Sequence, residues 1–256
     1  SNGIYCWSPF LFSFFFVPGL ELFIAPNAKN LSELEEQIEK SNKVFDFILY
    51  MVLPLQFIAL WLFLRGFQEM NLTHFDVIGR ILGMGLLCSI FGINVAHELG
   101  HRVNSIEQFF AKSLLMTSLY MHFYIEHNKG HHKHVATPHD PSTAKYKQSV
   151  YAFWIQTFVG TYLSAWHIAI EEAKKKNKAF PYLNNEMFLF QLIQLVFVLL
   201  VFYLFSWKAV LCFMMAAFIG GLLLEAVNYI EHYGLLRKAN DSGNYERVLP
   251  AHSWNS

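Results

Sequence analysis

Three histidines lie within six residues near the middle of the chain and form its densest group of potential metal ligands. Residues 126–132 read Glu-His-Asn-Lys-Gly-His-His, so the imidazoles belong to His127, His131 and His132. In an α-helix, His127 and His131 would share one face, and His132 would lie about 100° round the axis. Neutral imidazole is the commonest metal ligand in proteins. The group therefore predicts a metal site, with Glu126 and Asp140 as supporting carboxylates.

A second pair of histidines has the spacing of a helical zinc-protease motif. Residues 97–101 read His-Glu-Leu-Gly-His, which places His97 and His101 on one helix face. In zinc proteases this pattern supplies two metal ligands, and the glutamate, here Glu98, is the base. Asn94 shares the face and could orient a ligand. Alone, the motif leaves a zinc protease and a larger histidine site both open.

A further histidine ends the last long apolar segment and brings the number of candidate ligands to six. Residues 228–232 read Asn-Tyr-Ile-Glu-His, and Glu225, Asn228 and His232 share a helix face. An ionisable group inside an apolar span is costly and is a functional candidate. We assign Glu225 to the support of a metal, with a structural ion pair as the alternative, and we expect Asn228 and Glu231 to support the site as well.

The elements that must position these residues are membrane helices. The composition is 54% hydrophobic and 17% aromatic, and the apolar residues form long blocks, as in integral membrane proteins. The net charge of zero gives no positive potential that would attract nucleic acid. The three cysteines are far apart in the sequence, which excludes a Cys-based metal site on this chain. We predict an all-α, polytopic transmembrane helical bundle that forms one domain over residues 1–256, with spans 4–24, 44–64, 75–96, 187–205 and 209–230.

Charge predicts the side of the membrane on which the histidines lie. If residues 97–186 face the cytoplasm, residues 25–43 and 231–256 do too, and together these segments hold sixteen of the nineteen Lys and Arg, the positive-inside bias. Residues 106–125 must then dip into the membrane and return, or lie along its surface, for the histidine groups to meet. We expect residues 151–170 to be interfacial. Ser32 and Glu35 have the spacing of a capping box for a short surface helix.

Six convergent histidines exceed the three that a catalytic zinc uses and suit two metal ions. An oxygen-activating centre with only histidine ligands indicates non-haem iron, which imidazole suits. We expect His122 to be structural. Loop or supporting roles are expected for His134, His139 and His252, and no role is expected for His74 and His167.

The histidine groups resemble those of the integral-membrane non-haem di-iron alkane 1-monooxygenases, within the membrane fatty-acid desaturase and hydroxylase superfamily. Residues 97–102 look like the first histidine box of that family, and residues 126–141 look like the second. Residues 228–235 are similar to the stretch that separates alkane hydroxylases from desaturases, and residues 245–247 and 252–256 also match. The resemblance covers nearly the whole chain. It implies six of the family's nine histidine ligands: His97, His101, His127, His131, His132 and His232.

The resemblance implies terminal hydroxylation at two irons, in which a methyl group, O₂, two electrons and two protons give a primary alcohol and water. The chain has no Gly-rich dinucleotide motif and no Cys-rich redox motif, so another protein must supply electrons. In the family this protein is rubredoxin, which an NAD(P)H-dependent reductase reduces. The Phe- and Leu-rich spans suit an apolar alkyl substrate from the bilayer. The implied location is the bacterial inner membrane, with the histidines on the cytoplasmic side.

The sequence departs from the family pattern at both ends. A first span and a last histidine box, of the type Leu-Gln-Arg-His-x-x-His-His, are missing, so we expect a longer parent protein. The rivals are a fatty-acid or xylene hydroxylase or a desaturase on the same scaffold, an intramembrane zinc protease, and a metal transporter or sensor. On the first span, three rings share a helix face, and one of them is predicted to close the substrate channel: Phe12, Phe15 and Phe16.

Overall fold

The computed structural model describes residues 2–24, 32, 42–68, 72–240 and 243–254, and almost all of its regular structure is helical. The first three long helices are Gly3–Glu21 (α1), Lys43–Gly66 (α2) and His74–Gly100 (α3). Then follow Ser105–Thr117 (α4), residues 122–134 (α5) and Val150–Lys175 (α6). The last two long helices are Glu186–Leu204 (α7) and Trp207–His232 (α8). No strand occurs in the described ranges, where the one β-bridge joins Ala239 to Tyr245.

Five of these helices, α1, α2, α3, α7 and α8, are long and apolar enough to cross a membrane. They overlap the five predicted spans, so the predicted all-α transmembrane bundle is confirmed. The organisation as one domain and the cytoplasmic side of the histidines stay predictions. The capping box at Ser32 and Glu35 lies outside the described residues, because Glu35 is not among them.

Polar residues begin the helices that carry or support the histidines. A side-chain oxygen at the N-cap accepts a hydrogen bond from a backbone N–H of the first turn, which satisfies a donor that the helix leaves unpaired. Thr73 and Asp76 form a full capping box at the start of α3. The other helices capped in this way are α2, α4, α6, α7 and α8, by Asn42, Asn104, Ser149, Asn185 and Ser206.

The segment between α3 and α6 returns to the point from which it departs. Helix α4 leaves the end of α3, the chain reverses at Leu119, whose φ is +50°, and α5 runs back. As a result, Nε2 of His132 on α5 lies 3.3 Å from Nε2 of His101. This is the return path that the sequence predicts, and it brings two histidine groups to one place.

Helix α6 covers this returning segment with a stripe of small and apolar residues. The buried positions recur every four residues: Phe153, Thr157, Thr161, Ala165, Ala169 and Ala173. The stripe packs against α5, α7 and α8, whereas the opposite face exposes Tyr151, Ile155 and Leu163. This one-sided burial is the pattern of an amphipathic helix, and the interfacial location of α6 stays a prediction.

Close packing of α3 against α8 brings His232, at the end of α8, to the same level as His97 and His101. A Cβ on Gly220 would lie 2.7 Å from Cβ of Cys88, and a Cβ on Gly85 would lie 2.7 Å from Cγ2 of Ile219. Only hydrogen fits at these two positions, so the backbones can approach each other as membrane helices with small residues do. The two helices therefore end side by side, at Gly100 and His232.

Candidate metal centre

Four imidazoles from two helices converge at the end of the bundle. His97 comes from the last turn of α3, His101 directly follows that helix, and His127 and His132 come from α5. Nε2 of His101 lies 2.8 Å from Nε2 of His97, and Nε2 of His132 lies 3.0 Å from Nε2 of His127. One nitrogen from each of the four rings lies within 4.8 Å of the others. We call these four residues the four-histidine cluster.

A π-helical turn in α5 decides which of its histidines join the cluster. The turn covers His127–His131, and the backbone N–H of His132 donates to the carbonyl of His127. The i→i+5 spacing of a π-turn brings His127 and His132 together, and His131 stacks behind His127 with ring centroids 5.1 Å apart. His127 and His131 thus remain neighbours, as in an α-helix. His132, which an α-helix would place about 100° round the axis, instead joins His127 in the cluster.

Gly130 lets the carboxylate of Glu126 lie inside the π-turn. A Cβ on Gly130 would lie 2.6 Å from Oε1 of Glu126 and 3.2 Å from Cδ1 of Ile168 on α6. A second π-turn, Cys88–Asn94, precedes His97 on α3. Such turns are rare and are often found at functional sites.

His131 and His232 form a second, buried group beside the cluster, which we call the histidine pair. Their ring centroids are 5.1 Å apart. Nδ1 of His131 lies 3.0 Å from Oδ2 of Asp140, and Nδ1 of His232 lies 3.4 Å from the backbone carbonyl oxygen of His252. Since both oxygens accept, both Nδ1 atoms donate, which leaves Nε2 of each ring to bind a metal. Oxygen partners of this kind orient metal-binding histidines in proteins.

Hydrogen bonds keep the carboxyl group of Asp140 in its ionised form although it is buried. Its carboxylate also accepts hydrogen bonds from Oγ1 of Thr143 at 2.6 Å and from the backbone N–H of Ser142 at 3.0 Å. Burial alone would raise the pKa of this carboxyl, but the hydrogen bond and charge of His131 and these two donors hold it below its usual range. The predicted supporting role of Asp140 now has a defined contact.

Burial favours the neutral form of three cluster imidazoles, those of His101, His127 and His132. Burial lowers the pKa of His127, and the neighbouring His131 lowers it further. Burial, with the neighbouring His101 as the next cause, lowers the pKa of His132 to about 4, and burial also lowers the pKa of His101. A neutral ring offers a lone pair, which a metal requires. Four imidazoles with converging nitrogens fit a transition metal ion that imidazole suits.

Two further carboxylates lie near the histidine pair. Burial, with Asp140 as the next cause, raises the pKa of Glu126 to about 8, and its Oε1 has no hydrogen-bond partner in the described part of the chain. Glu225 is 1% exposed. It accepts hydrogen bonds from three neutral donors, the side chains of Tyr120 at 2.9 Å, Thr157 at 2.7 Å and Asn228 at 3.0 Å. These contacts are with uncharged groups, and the role of Glu225 at the metal stays a prediction.

The remaining predicted residues lie outside these contacts, and their functional roles stay predictions. Oε1 of Glu98 lies 3.6 Å from Nη2 of Arg102, and the Glu98 side chain is exposed. Asn94 is exposed as well, and Glu231 accepts a hydrogen bond from Ser253 at 3.1 Å. The rings on α1 that were predicted to close a channel are 56%, 64% and 54% exposed: Phe12, Phe15 and Phe16.

Sequence reasoning missed several residues that shape the site. The ring of Phe123 stacks on His127 with centroids 4.6 Å apart and contacts His97 with its edge. Its position four residues before His127 could have revealed this contact. His122 is not among the four cluster histidines, and burial lowers its pKa to about 4; its structural role stays a prediction. The carbonyl of His252 leaves no signal in the sequence, because a backbone acceptor exists at every residue.

Comparison with known proteins agrees with this geometry. The fatty acid desaturase family model matches residues 72–256. Alkane 1-monooxygenase 2 of Alcanivorax borkumensis is 36% identical over 98% of this chain and 66% of its own length. Alkane 1-monooxygenase 2 of Pseudomonas aeruginosa is 35% identical over 94% of this chain and 64% of its own length. The xylene/toluene monooxygenase hydroxylase component of Pseudomonas putida is 28% identical over 82% of this chain and 56% of its own length.

The chain thus spans at most about two thirds of the length of these relatives. The family match covers both helices that supply the four-histidine cluster as well as the helix that ends in His232. The chain belongs to the fatty acid desaturase family.

Proposed function

We propose that the protein acts in the terminal hydroxylation of n-alkanes to 1-alkanols at a di-iron centre. The observation that carries this proposal is the convergence of four imidazole nitrogens within 4.8 Å, with the buried histidine pair directly beside them. One metal ion would use all four nitrogens of the cluster, and the histidine pair offers two more nitrogens to a second ion. The relatives named alkane 1-monooxygenase favour this reaction over others of the family.

The proposed iron ligands are those predicted from sequence, namely His97, His101, His127, His131, His132 and His232. When bound, the irons would supply the activation of O₂, which together with two electrons and two protons converts a methyl group into a primary alcohol and water. The protein's own residues hold and orient these ligands. Asp140 fixes the tautomer of His131, and the carbonyl of His252 does the same for His232. Phe123 shields one face of the His127 ring from water.

The surroundings of the site support an apolar substrate and an external electron donor. The five membrane helices expose many large apolar side chains, so an alkane can approach from the bilayer. Cysteine occurs only as Cys6, Cys88 and Cys212, all free thiols, so this chain offers no cysteine redox centre. We assign electron delivery to rubredoxin and its NAD(P)H-dependent reductase. We place the histidines on the cytoplasmic side of the bacterial inner membrane, from the distribution of Lys and Arg.

The proposal is tested with the full-length enzyme in lipid nanodiscs, supplied with O₂ and reduced rubredoxin. We expect two irons per chain and conversion of n-octane to 1-octanol, identified by gas chromatography. The His167→Ala variant is the control, because this exposed histidine lies away from the centre. Formation of an alkene would indicate a desaturase. Conversion of p-xylene but not of octane would favour the activity named in the relative with 28% identity. One bound zinc with no iron would contradict the proposal.

The route of the substrate is tested on α1. We propose that one ring among Phe12, Phe15 and Phe16 closes the substrate channel, so that its replacement by Ala extends activity to longer alkanes. Each additional buried methylene contributes about 0.8 kcal/mol. The measurement is the product distribution over a series of alkane lengths, with iron content as the control. An unchanged distribution in all three variants would place this face of α1 toward lipid.

A further inference from the structure

A small groove of about 270 Å³ lies between α6, α7 and α8, next to the turn that joins α4 to α5. Its walls are apolar and include Leu119, Phe158, Met214 and Phe218. Since α7 and α8 are membrane helices, an alkyl chain could enter the groove from the bilayer. Gly221 on α8 leaves room for the Phe158 ring in the wall of the groove, because a Cβ at this position would lie 2.9 Å from that ring.

Polar side chains line the same groove, although it lies among membrane helices. Gln191 and Gln194 project from α7, and Tyr162 projects from α6. The Tyr162 hydroxyl donates to Oε1 of Gln191 at 3.3 Å, and Oε1 of Gln194 accepts from the backbone N–H of Met121 at 3.1 Å. Polar groups facing hydrocarbon are costly unless they find hydrogen-bond partners. Two glutamines and a tyrosine thus give one side of the groove a set of hydrogen-bonding groups.

His122 is the second observation that points to a ligand. It lines the groove, is 7% exposed, and its Nε2 has no hydrogen-bond partner in the described part of the chain. The imidazole lies between the rings of Tyr120 and Tyr162, with centroids 4.4 and 5.6 Å away. Buried polar atoms in proteins are nearly always hydrogen-bonded. An atom of a ligand that reaches this ring would supply the missing partner.

The charge of the groove restricts the class of ligand. No Asp, Glu, Lys or Arg occurs among the residues that line it. A carboxylate or a phosphate would therefore be buried without an opposite charge, which is strongly unfavourable. A neutral group that can both donate and accept a hydrogen bond, such as a hydroxyl, matches an imidazole and a carboxamide.

One aromatic layer separates the groove from the four-histidine cluster. Tyr120 lines the groove, and its ring centroid lies 6.1 Å from that of Phe123. Phe123 in turn stacks on His127. A molecule that leaves the cluster past the Phe123 ring would therefore meet the polar side of the groove first and the lipid next.

We propose that this groove binds the hydroxyl end of the primary alcohol product on its way from the metal centre to the bilayer, with His122 and Gln191 as hydrogen-bond partners. The inference rests on the proposed alkane hydroxylation. An alkane has no group to pair with these side chains, whereas its hydroxylated product has one. The groove thus distinguishes product from substrate by hydrogen bonding.

The test uses a photoreactive probe, a ten-carbon primary alcohol with a diazirine near the hydroxyl end, and the full-length protein in lipid nanodiscs. Labelled peptides are identified by mass spectrometry without turnover, so an inactive preparation does not affect the result. We expect labels on residues 118–122 and 214–218, and competition by 1-decanol but not by decane. The His122→Phe variant keeps a ring but loses the nitrogens, and labelling should fall by about fivefold, as for the loss of one hydrogen bond.

Two further variants keep the test decisive. Gln191→Leu should also weaken labelling, and it covers the case in which His122→Phe does not fold. The His167→Phe variant changes an exposed histidine on α6 outside this groove and should label like the unchanged protein. The proposal would be overturned if decane competed as well as 1-decanol, or if decanoate competed. It would also be overturned if only a lysophospholipid competed, or if labelling were unchanged in both groove variants.

Discussion

The four-histidine cluster and the histidine pair lie side by side, but they are held in place by different means. In the cluster, His101 and His132 are exposed, and the Nε2 atoms of the four rings each lie within 3.3 Å of another Nε2 of the cluster. In the pair, His131 is 7% and His232 is 5% exposed, and each Nδ1 has an oxygen partner. The cluster thus depends on helix geometry, and the pair depends on hydrogen bonds.

The cluster and the pair should therefore be sensitive to different substitutions. The backbone of α3 and the π-turn of α5 bring the cluster nitrogens together, so a change in the turn should disturb the cluster. Residues far away in the sequence orient the pair, since Asp140 and His252 follow the histidines by nine and twenty residues. A change in either partner should therefore affect the pair and spare the cluster.

The largest effect is expected from the ligands themselves. Replacing His132 in the cluster or His131 in the pair by Ala should abolish hydroxylation and remove iron, because among the described residues each imidazole that contacts them is itself a proposed ligand. His167→Ala is the matched control and should retain both. Iron content and 1-octanol formation are the measurements. A loss in His167→Ala as large as that in His131→Ala would show that the ligand set is wrong.

A smaller effect, confined to the pair, is expected from Asp140→Asn. The amide has the same shape, but it carries no charge and no longer fixes the tautomer of His131. Loss of such a partner lowers metal affinity or activity by about 10–100-fold. The exposed carboxylate Glu171, which pairs with Lys174 at 2.9 Å, supplies the control Glu171→Gln. If iron affinity in Asp140→Asn equals that of the control, the hydrogen bond does not orient the pair.

The smallest effect, directed at the cluster, is expected from Gly130→Ala. The new methyl would lie 2.6 Å from Oε1 of Glu126, so the carboxylate or the π-turn must shift, at a cost of about 1–3 kcal/mol in stability. Gly19→Ala on α1 has nothing within 4 Å of its Cβ and should unfold at the same temperature as the unchanged protein. Thermal unfolding and iron content are measured together. A variant that keeps both values would show that the turn has room for a side chain.

The parts of the molecule that follow from hydropathy and residue type could be predicted from the sequence. Long apolar blocks identify α1, α2, α3, α7 and α8, because a spanning helix needs about twenty apolar residues. The return of residues 106–125 follows from the requirement that two histidine groups meet. The histidines of the cluster are recognisable because few other side chains serve as neutral ligands.

The parts that depend on backbone irregularity or distant packing could not be predicted. The π-turn at His127–His131 contradicts the α-helical spacing, and no local residue preference distinguishes the two. Two of the three hydrogen-bond partners of Glu225 come from the turn before α5 and from α6, at Tyr120 and Thr157, more than sixty positions away in the chain. Such contacts are set by tertiary structure, which outweighs local propensity.

The most direct test of the proposed histidine ligands is X-ray absorption at the iron edge of the full-length enzyme. If the cluster and the pair hold the metal, the spectrum will show a first shell of nitrogen and oxygen and strong outer-shell scattering from several imidazoles per iron. His127→Ala should remove this imidazole signal, whereas His167→Ala should leave it unchanged. A sulfur shell, a single imidazole per iron, or an unchanged spectrum in His127→Ala would contradict the account.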